Sequence, residues 1–206
     1  MVKQDENRGP YAKGILQRQQ ILSAALELFA RQGYEASTLS AIATSAGITR
    51  EAVRHYFNSR DDVFLAIIEA QDTSNHGHGA RSGESLFDQI VKAASRNSAA
   101  PGLSALNATF AARALIERDS PISRSINRRM SQLRTEITEG IRRSQEVGVI
   151  RNDIIPGTLA AIILATSDGL TTQSALPEAT DVTAGMRALE ILMTVSPTVP
   201  AGLLGG

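Results

Sequence analysis

Between Leu39 and Phe57 the chain reads LSAIATSAGITREAVRHYF, two short apolar patterns separated by a single glycine. Leu39, Ile42, Ala43 and Ala46 recur at helical spacing, and Ala52, Val53, Tyr56 and Phe57 do so again. Ser37 or Thr38 offers a cap for the first helix, Gly47 a stop after about two turns, and Thr49 a cap for the second. Helices below about 12–15 residues are marginal alone in water, so these two must brace each other and a longer neighbour. Ile21, Leu22, Ala25, Leu28 and Phe29 place that neighbour just upstream, from about Leu16 to a stop at Gly33. The pattern is the sequence form of a helix-turn-helix, whose second helix enters a major groove while the first crosses the phosphate backbone. With the apolar positions turned inward, the second helix presents Arg50, Glu51, Arg54 and His55.

Charge along the chain agrees with an anion-binding module at the N-terminal end. The whole chain is neutral, but residues 1–60 carry 8 Lys or Arg against 5 Asp or Glu, and residues 61–206 carry 13 against 16. Zero cysteines exclude disulfides, thiol nucleophiles and Cys-based zinc sites. The start, MVKQDENRGP, has no apolar signal core, and no apolar run reaches the roughly 18–20 residues of a membrane span. A cytoplasmic protein is expected.

The remaining pattern is helical throughout. Residues 1–14 are polar, contain Gly9, Pro10 and Gly14, and read as a flexible arm. Residues 15–74 form the helix-turn-helix domain, the motif itself covering 38–57, with a fourth helix starting at Ser59-Arg60-Asp61-Asp62 and ending near Ser74. Asn75-His76-Gly77-His78-Gly79 reads as a flexible junction. Further helices are expected at 84–99, 102–118, 121–147, 156–176 and 180–195, within a second domain over 75–196; the Pro- and Gly-rich tail 197–206 reads as disordered.

The stretch ILSAALELFARQGYEASTLSAIATSAGITREAVRHYFNSRDDVFLAII carries GY, TL-x-x-IA, AG-(I/V)-(S/T) and YF-x-(S/N)-(K/R) elements in fixed order. In this it resembles the TetR family of bacterial one-component regulators, over about Ile15 to Ala70. Beyond about residue 75 the resemblance is one of architecture. It implies an all-α protein with an N-terminal three-helix helix-turn-helix domain joined to a larger helical domain for ligand binding and dimerisation. The implied function is that of a homodimeric repressor, released from a palindromic DNA operator by a small-molecule effector, without a cofactor.

Carried over residue by residue, the resemblance implies phosphate contacts for Thr38 and Thr49 at helix starts, for the pair His55 and Tyr56, and for Arg60. Lys13 and Arg18 are expected to join them, and Arg50 stands where a Lys is common. The chain departs from the pattern at Glu51, where a small residue is frequent, and at Arg54, where Tyr is frequent. A carboxylate facing DNA needs a compensating contact. It can accept from cytosine N4, or it can hold Arg54 in position for guanine O6 and N7.

For the second domain, the helices near 156–176 and 180–195 are expected to pair with those of another copy, since Ala160, Ala161, Ala165 and Gly169 permit close approach. Phe87, Asn107, Phe110, Arg113, Met130, Leu133, Ile137 and Ser167 are the expected lining of an effector pocket. No nucleophile elbow, phosphate loop or His-Glu-x-x-His zinc motif occurs, so catalysis has no positive support. His76 and His78 have no third ligand nearby in the sequence and read as a loop, and Asp168, which no nucleophile or base pattern accompanies, reads as a polar residue in a pocket or interface. Glu136, Glu139, Arg142 and Arg143 read as a solvated face with local ion pairs. Two alternative functions remain: DNA binding without effector control, and the DNA-binding module of a DNA-processing enzyme.

Overall fold

The computed structural model describes residues 10–79, 84–100 and 102–194. Among these, the chain forms nine helices: α1 (Pro10–Ala36), α2 (Leu39–Ala46), α3 (Arg50–Tyr56), α4 (Arg60–Gly79), α5 (Leu86–Ala99), α6 (Leu103–Ile116), α7 (Pro121–Glu146), α8 (Pro156–Ser174) and α9 (Val182–Met193). The extended pairing among the described residues is a single antiparallel bridge between Ile150 and Thr194. The expected arm 1–9 and tail 197–206 lie outside the described residues.

The chain divides into two compact units, 1–76 with 100–125 and 77–99 with 126–206. The first is thus larger than the expected domain over 15–74, because α6 packs on α1 and joins it. Its core is built from Ile21, Ala25 and Phe29 of α1, Ile42 of α2, Val53 of α3, Val63, Phe64 and Ile68 of α4, and Leu103, Leu106 and Phe110 of α6, all buried. Residues 10–14 are helical instead of forming an arm: Pro10 suits the first position of a helix, and Gly14 lies where a Cβ would come 3.7 Å from the Tyr56 hydroxyl. Similarly, α4 does not stop near Ser74 but runs through the histidine-glycine stretch to Gly79. A helical glycine costs only about 1 kcal/mol relative to alanine, too little to end a helix already propagating from Arg60.

Local chemistry explains the breaks. Gly33, at φ 75° and ψ 179°, interrupts α1, and the buried Ser37 donates its hydroxyl to the Gly33 carbonyl at 2.7 Å. Thr38, rather than Ser37, then caps α2. At Gly47, φ 66° and ψ 30° let the glycine N–H reach Thr44 O and the Ile48 N–H reach Ala43 O, each at 3.1 Å. Only a residue at ease in the left-handed region closes a helix this way. Asp62 and Ser59 cap α4 reciprocally, with Asp62 N–H donating to Ser59 Oγ at 3.1 Å and Ser59 N–H to Asp62 Oδ2 at 3.0 Å.

The second unit has its own core, comprising Phe87, Val91 and Ala94 of α5, Ile141 of α7, Leu159, Ala160 and Ile163 of α8, and Val182, Met186, Leu189 and Met193 of α9, with Ile150. Gln145 holds the turn after α7 by donating to the carbonyls of Arg151 and Ile154 at 2.7 and 2.9 Å. Asp181 caps α9 by accepting from Ala184 N–H at 3.0 Å. Arg142 and Arg143 both pair with Glu139, the local ion pairs expected on that face.

Gly102 is, among the described glycines of the first unit, the one with least room for a side chain. It has φ +77°, and a Cβ there would meet Ala30 Cβ at 2.7 Å and Ala30 Cα at 3.1 Å. Gly102→Ala should therefore destabilise the protein by about 1–3 kcal/mol, combining a left-handed backbone with a collision against α1. Denaturant midpoints of the two proteins measure the difference; an unchanged midpoint would show that α6 can retreat from α1 without cost.

Candidate nucleic-acid interface

α3 is seven residues long, yet its ends are defined. Thr49 accepts from Ala52 N–H at 3.1 Å at its start, while Phe57 N–H donates to Val53 O at its end. Val53 and Phe57 are buried and Ala52 and Tyr56 half-buried. The remaining positions, Arg50, Glu51, Arg54 and His55, are all exposed. This is the face expected from the spacing. Thr38 and Thr49, each capping its helix, are exposed as well.

Support for α3 comes from α1 and α2. Tyr56 donates its hydroxyl to Gln17 Oε1 at 3.2 Å, and its ring meets the His55 ring edge-on at 5.1 Å. Gln20 donates to the carbonyl of Ala46 at 2.7 Å, tying the end of α2 to α1. Tyr56 is thus both a packing residue and a bridge to α1, and its hydroxyl proton is already committed. Arg18 lies with its guanidinium 5.4 Å from the Phe57 ring centroid, and Lys13 is exposed on the first turns of α1; neither belongs to an arm.

Arg60 departs from its expected role. Its guanidinium donates to the carbonyls of Tyr34 and Glu35 and to the Glu35 carboxylate, each at 3.1 Å, and it sits 4.0 Å from the Tyr34 ring centroid. It terminates α1 by satisfying carbonyls that a helix end leaves without partners, which commits a half-buried guanidinium to bonds within the unit.

The same tyrosine collects a second arginine. Tyr34 donates its hydroxyl to Asp61 Oδ1, and Arg113 donates Nη1 to the Tyr34 hydroxyl oxygen and, at 3.0 Å, to Asp61. The rest of the Arg113 fork holds Glu117, through Nε at 2.9 Å and Nη2 at 3.2 Å. Around them Phe64 and Phe110 pack on the Tyr34 ring at centroid distances of 5.7 and 5.8 Å, and Phe64 in turn meets Phe29 at 5.5 Å and Phe110 at 6.1 Å. Burial is the main cause that pushes the Tyr34 phenol up to about 12, with its hydrogen bond to Asp61 and the charge of Asp61 adding to it and the two arginines opposing. Burial also works against the charge on Arg113, but the bonds to Glu117 and Asp61 outweigh it and raise its pKa.

This hub was not expected from the sequence, although the GY pair and the Ser59–Asp62 start both lie at it. It also changes the reading of the expected effector residues. Asn107, Phe110 and Arg113 belong to the first unit, whereas Phe87, Met130, Leu133, Ile137 and Ser167 belong to the second. Phe110 and Arg113 are committed to the tyrosine hub, and Phe87 is a buried member of the second core. Met130, Leu133, Ile137 and Ser167 are half-buried, and Asn107 has a buried Oδ1 without a hydrogen-bond partner.

The arrangement defines a helix-turn-helix protein whose second short helix offers a polar, outward face. Residues 21–67 match the family model for bacterial regulatory proteins of the tetR family. The chain is 44% identical over 54 residues to the HTH-type transcriptional regulator SrpR of Pseudomonas putida, a match covering 26% of this chain and 25% of that one. A longer match, 28% identical over 154 residues, joins it to the HTH-type transcriptional repressor Rv1474c of Mycobacterium tuberculosis, covering 74% of this chain and 79% of the repressor. In fold it is similar to a TetR transcription regulator of Haloarcula marismortui, with a TM-score of 0.72 and 18% identity over 88% of this chain and all (100%) of that one. Over residues 21–67 the chain is thus similar to the DNA-binding segment of tetR-family regulators, and its helical fold is similar to theirs.

The raised Tyr34 pKa has a direct consequence. The folded chain keeps the phenol proton between about pH 10 and 12, where the unfolded chain gives it up, so this contribution to stability is whole below about pH 10 and fades as pH rises towards 12. Tyr34→Phe, which cannot ionise, should lose less stability than the parent protein between about pH 9 and 11.5. Urea midpoints at the two pH values test this; equal losses in both proteins would mean that the hub does not hold the proton.

Proposed function

We propose that this chain is a sequence-specific DNA-binding transcriptional regulator, acting as a homodimeric repressor under the control of a small molecule. One observation carries the reading: the exposed face of α3 bears two cations, a carboxylate and an imidazole, while its opposite face is buried against the unit that holds it. Such a surface contributes little to folding and suits contact with base edges and phosphates. The regulators and repressors that it resembles at the N-terminal end support the same conclusion.

In this reading Arg50, Glu51 and Arg54 meet base edges. Thr38, Thr49, His55 and Lys13 approach phosphates, with the helix starts of α2 and α3 favouring anions. Dimerisation uses α8 and α9, which expose Ile162, Ile191 and Leu192. Ala160 serves its own unit's core, so the small-residue contact between copies falls to Ala161, Ala165 and Gly169. The effector site lies in the second unit and uses Met130, Leu133, Ile137 and Ser167 on α7 and α8. No described helix is long and apolar enough to cross a membrane.

A dimer with one reading helix per copy should protect a palindromic duplex whose major-groove contacts lie about 34–36 Å apart, or a multiple of a helical turn. Footprinting on the selected site checks this, and protection of an asymmetric site by a monomer would overturn the architecture. Effector control adds a second expectation. A small molecule that lowers operator affinity must bind the operator-loaded dimer more weakly by the same factor, roughly 5- to 150-fold for a coupling of about 1–3 kcal/mol. Calorimetry with and without duplex measures both affinities; equal values would remove that molecule as the equilibrium signal.

A further inference from the structure

The exposed face of α3 sets one carboxylate, Glu51, beside Arg50, Arg54 and His55, and a carboxylate brought to a polyanion is repelled unless a base compensates it. The first-turn position and the three-residue spacing leave two sources of compensation, a base amino group or Arg54. The structure separates them. Among the described residues Glu51 and Arg54 form no ion pair with each other, although both are exposed and neither has another hydrogen-bond or ion-pair partner. Two other arginines of this unit hold partners within it, Arg60 on the end of α1 and Arg113 on Tyr34, Asp61 and Glu117. Both groups of the α3 pair are therefore free to act on DNA separately.

We propose that Glu51 accepts a hydrogen bond from a cytosine N4 amino group, and that Arg54 donates to guanine O6 and N7 at the same or the adjacent base pair. This rests on the reading of α3 as the helix that enters the major groove. Three residues along a helix span about 4.5 Å and about 60° of its face, while successive base pairs rise about 3.4 Å. The two side chains thus reach one pair or neighbouring pairs. The choice of base follows from the groove chemistry. Adenine also has an amino donor, but its N7 lone pair lies beside it and repels a carboxylate; cytosine presents a donor and no acceptor on its major-groove edge. The acceptors of the paired guanine need a cation, and Arg54 supplies it.

The test begins with selection of duplexes from a random pool by the intact protein, followed by binding of every single-base variant of the selected site by the parent, Glu51→Ala, Glu51→Gln and Arg54→Ala proteins. The parent should require a C·G pair under each α3. Arg54→Ala should weaken the best site about 5- to 150-fold and relax the choice of guanine. Glu51→Ala should lose discrimination at that pair or its neighbour while random DNA is bound equally well or more tightly, and Glu51→Gln should shift tolerance towards adenine. Unchanged base preferences in both Glu51 variants would overturn the proposal and reduce Glu51 to a first-turn charge favoured by the helix dipole. A selected site in which no C·G pair responds to either residue would overturn it as well. Failure of the parent protein to select any site is a different result, since it would overturn the regulator reading itself.

Discussion

The first unit depends on the way a single tyrosine ends a helix. Tyr34 lies one residue beyond the left-handed Gly33, and its carbonyl, ring and hydroxyl each hold a different partner. Arg60 takes the carbonyl and the ring, Asp61 takes the hydroxyl proton, and Arg113 closes the set from α6. Three helices distant in sequence are thus joined through groups that could not be buried singly without penalty. Phe29, Phe64 and Phe110 surround the cluster and keep it partly out of water, which strengthens the bonds within it. Beside this joint, α2 and α3 are held by each other and by α1, through Gln20 on the Ala46 carbonyl and Gln17 on the Tyr56 hydroxyl.

The distribution of charge on the unit follows from the same joint. The two arginines attached to Tyr34 already hold partners within the unit, and Arg18 rests against Phe57. The outward cations of the motif are those on α3 itself. A modest surplus of positive charge in residues 1–60 therefore understates how much of that charge is structural.

Much of the first unit was legible because its signals are local. Gly47, Thr38, Thr49, Ser59 and Asp62 mark turns and caps by chemistry that acts within a few residues, and the apolar spacing of α3 gave its inner and outer faces correctly. What was not legible depends on pairs far apart in the chain. Arg60 and Arg113 have the composition of surface cations, and only the fold brings them to Tyr34, 26 and 79 positions away. The part that Phe110 and Arg113 play at Tyr34 was hidden for the same reason, since α6 follows the second unit's α5 in sequence but packs in the first. The extent of α1 and α4 was underestimated because Gly14, Gly77 and Gly79 weaken a helix without dictating its end.

The brevity of α3 has an evolutionary consequence. Val53 and Phe57 anchor it, Tyr56 ties it to α1, and Thr49 and Gly47 set its start. Those five positions specify the shape of the helix, and the four exposed ones are almost free of structural duty. The vocabulary of the reader can consequently drift while its grammar is conserved: a duplicated copy of the gene could acquire a new target by a few substitutions at 50, 51, 54 and 55 without passing through an unfolded ancestor.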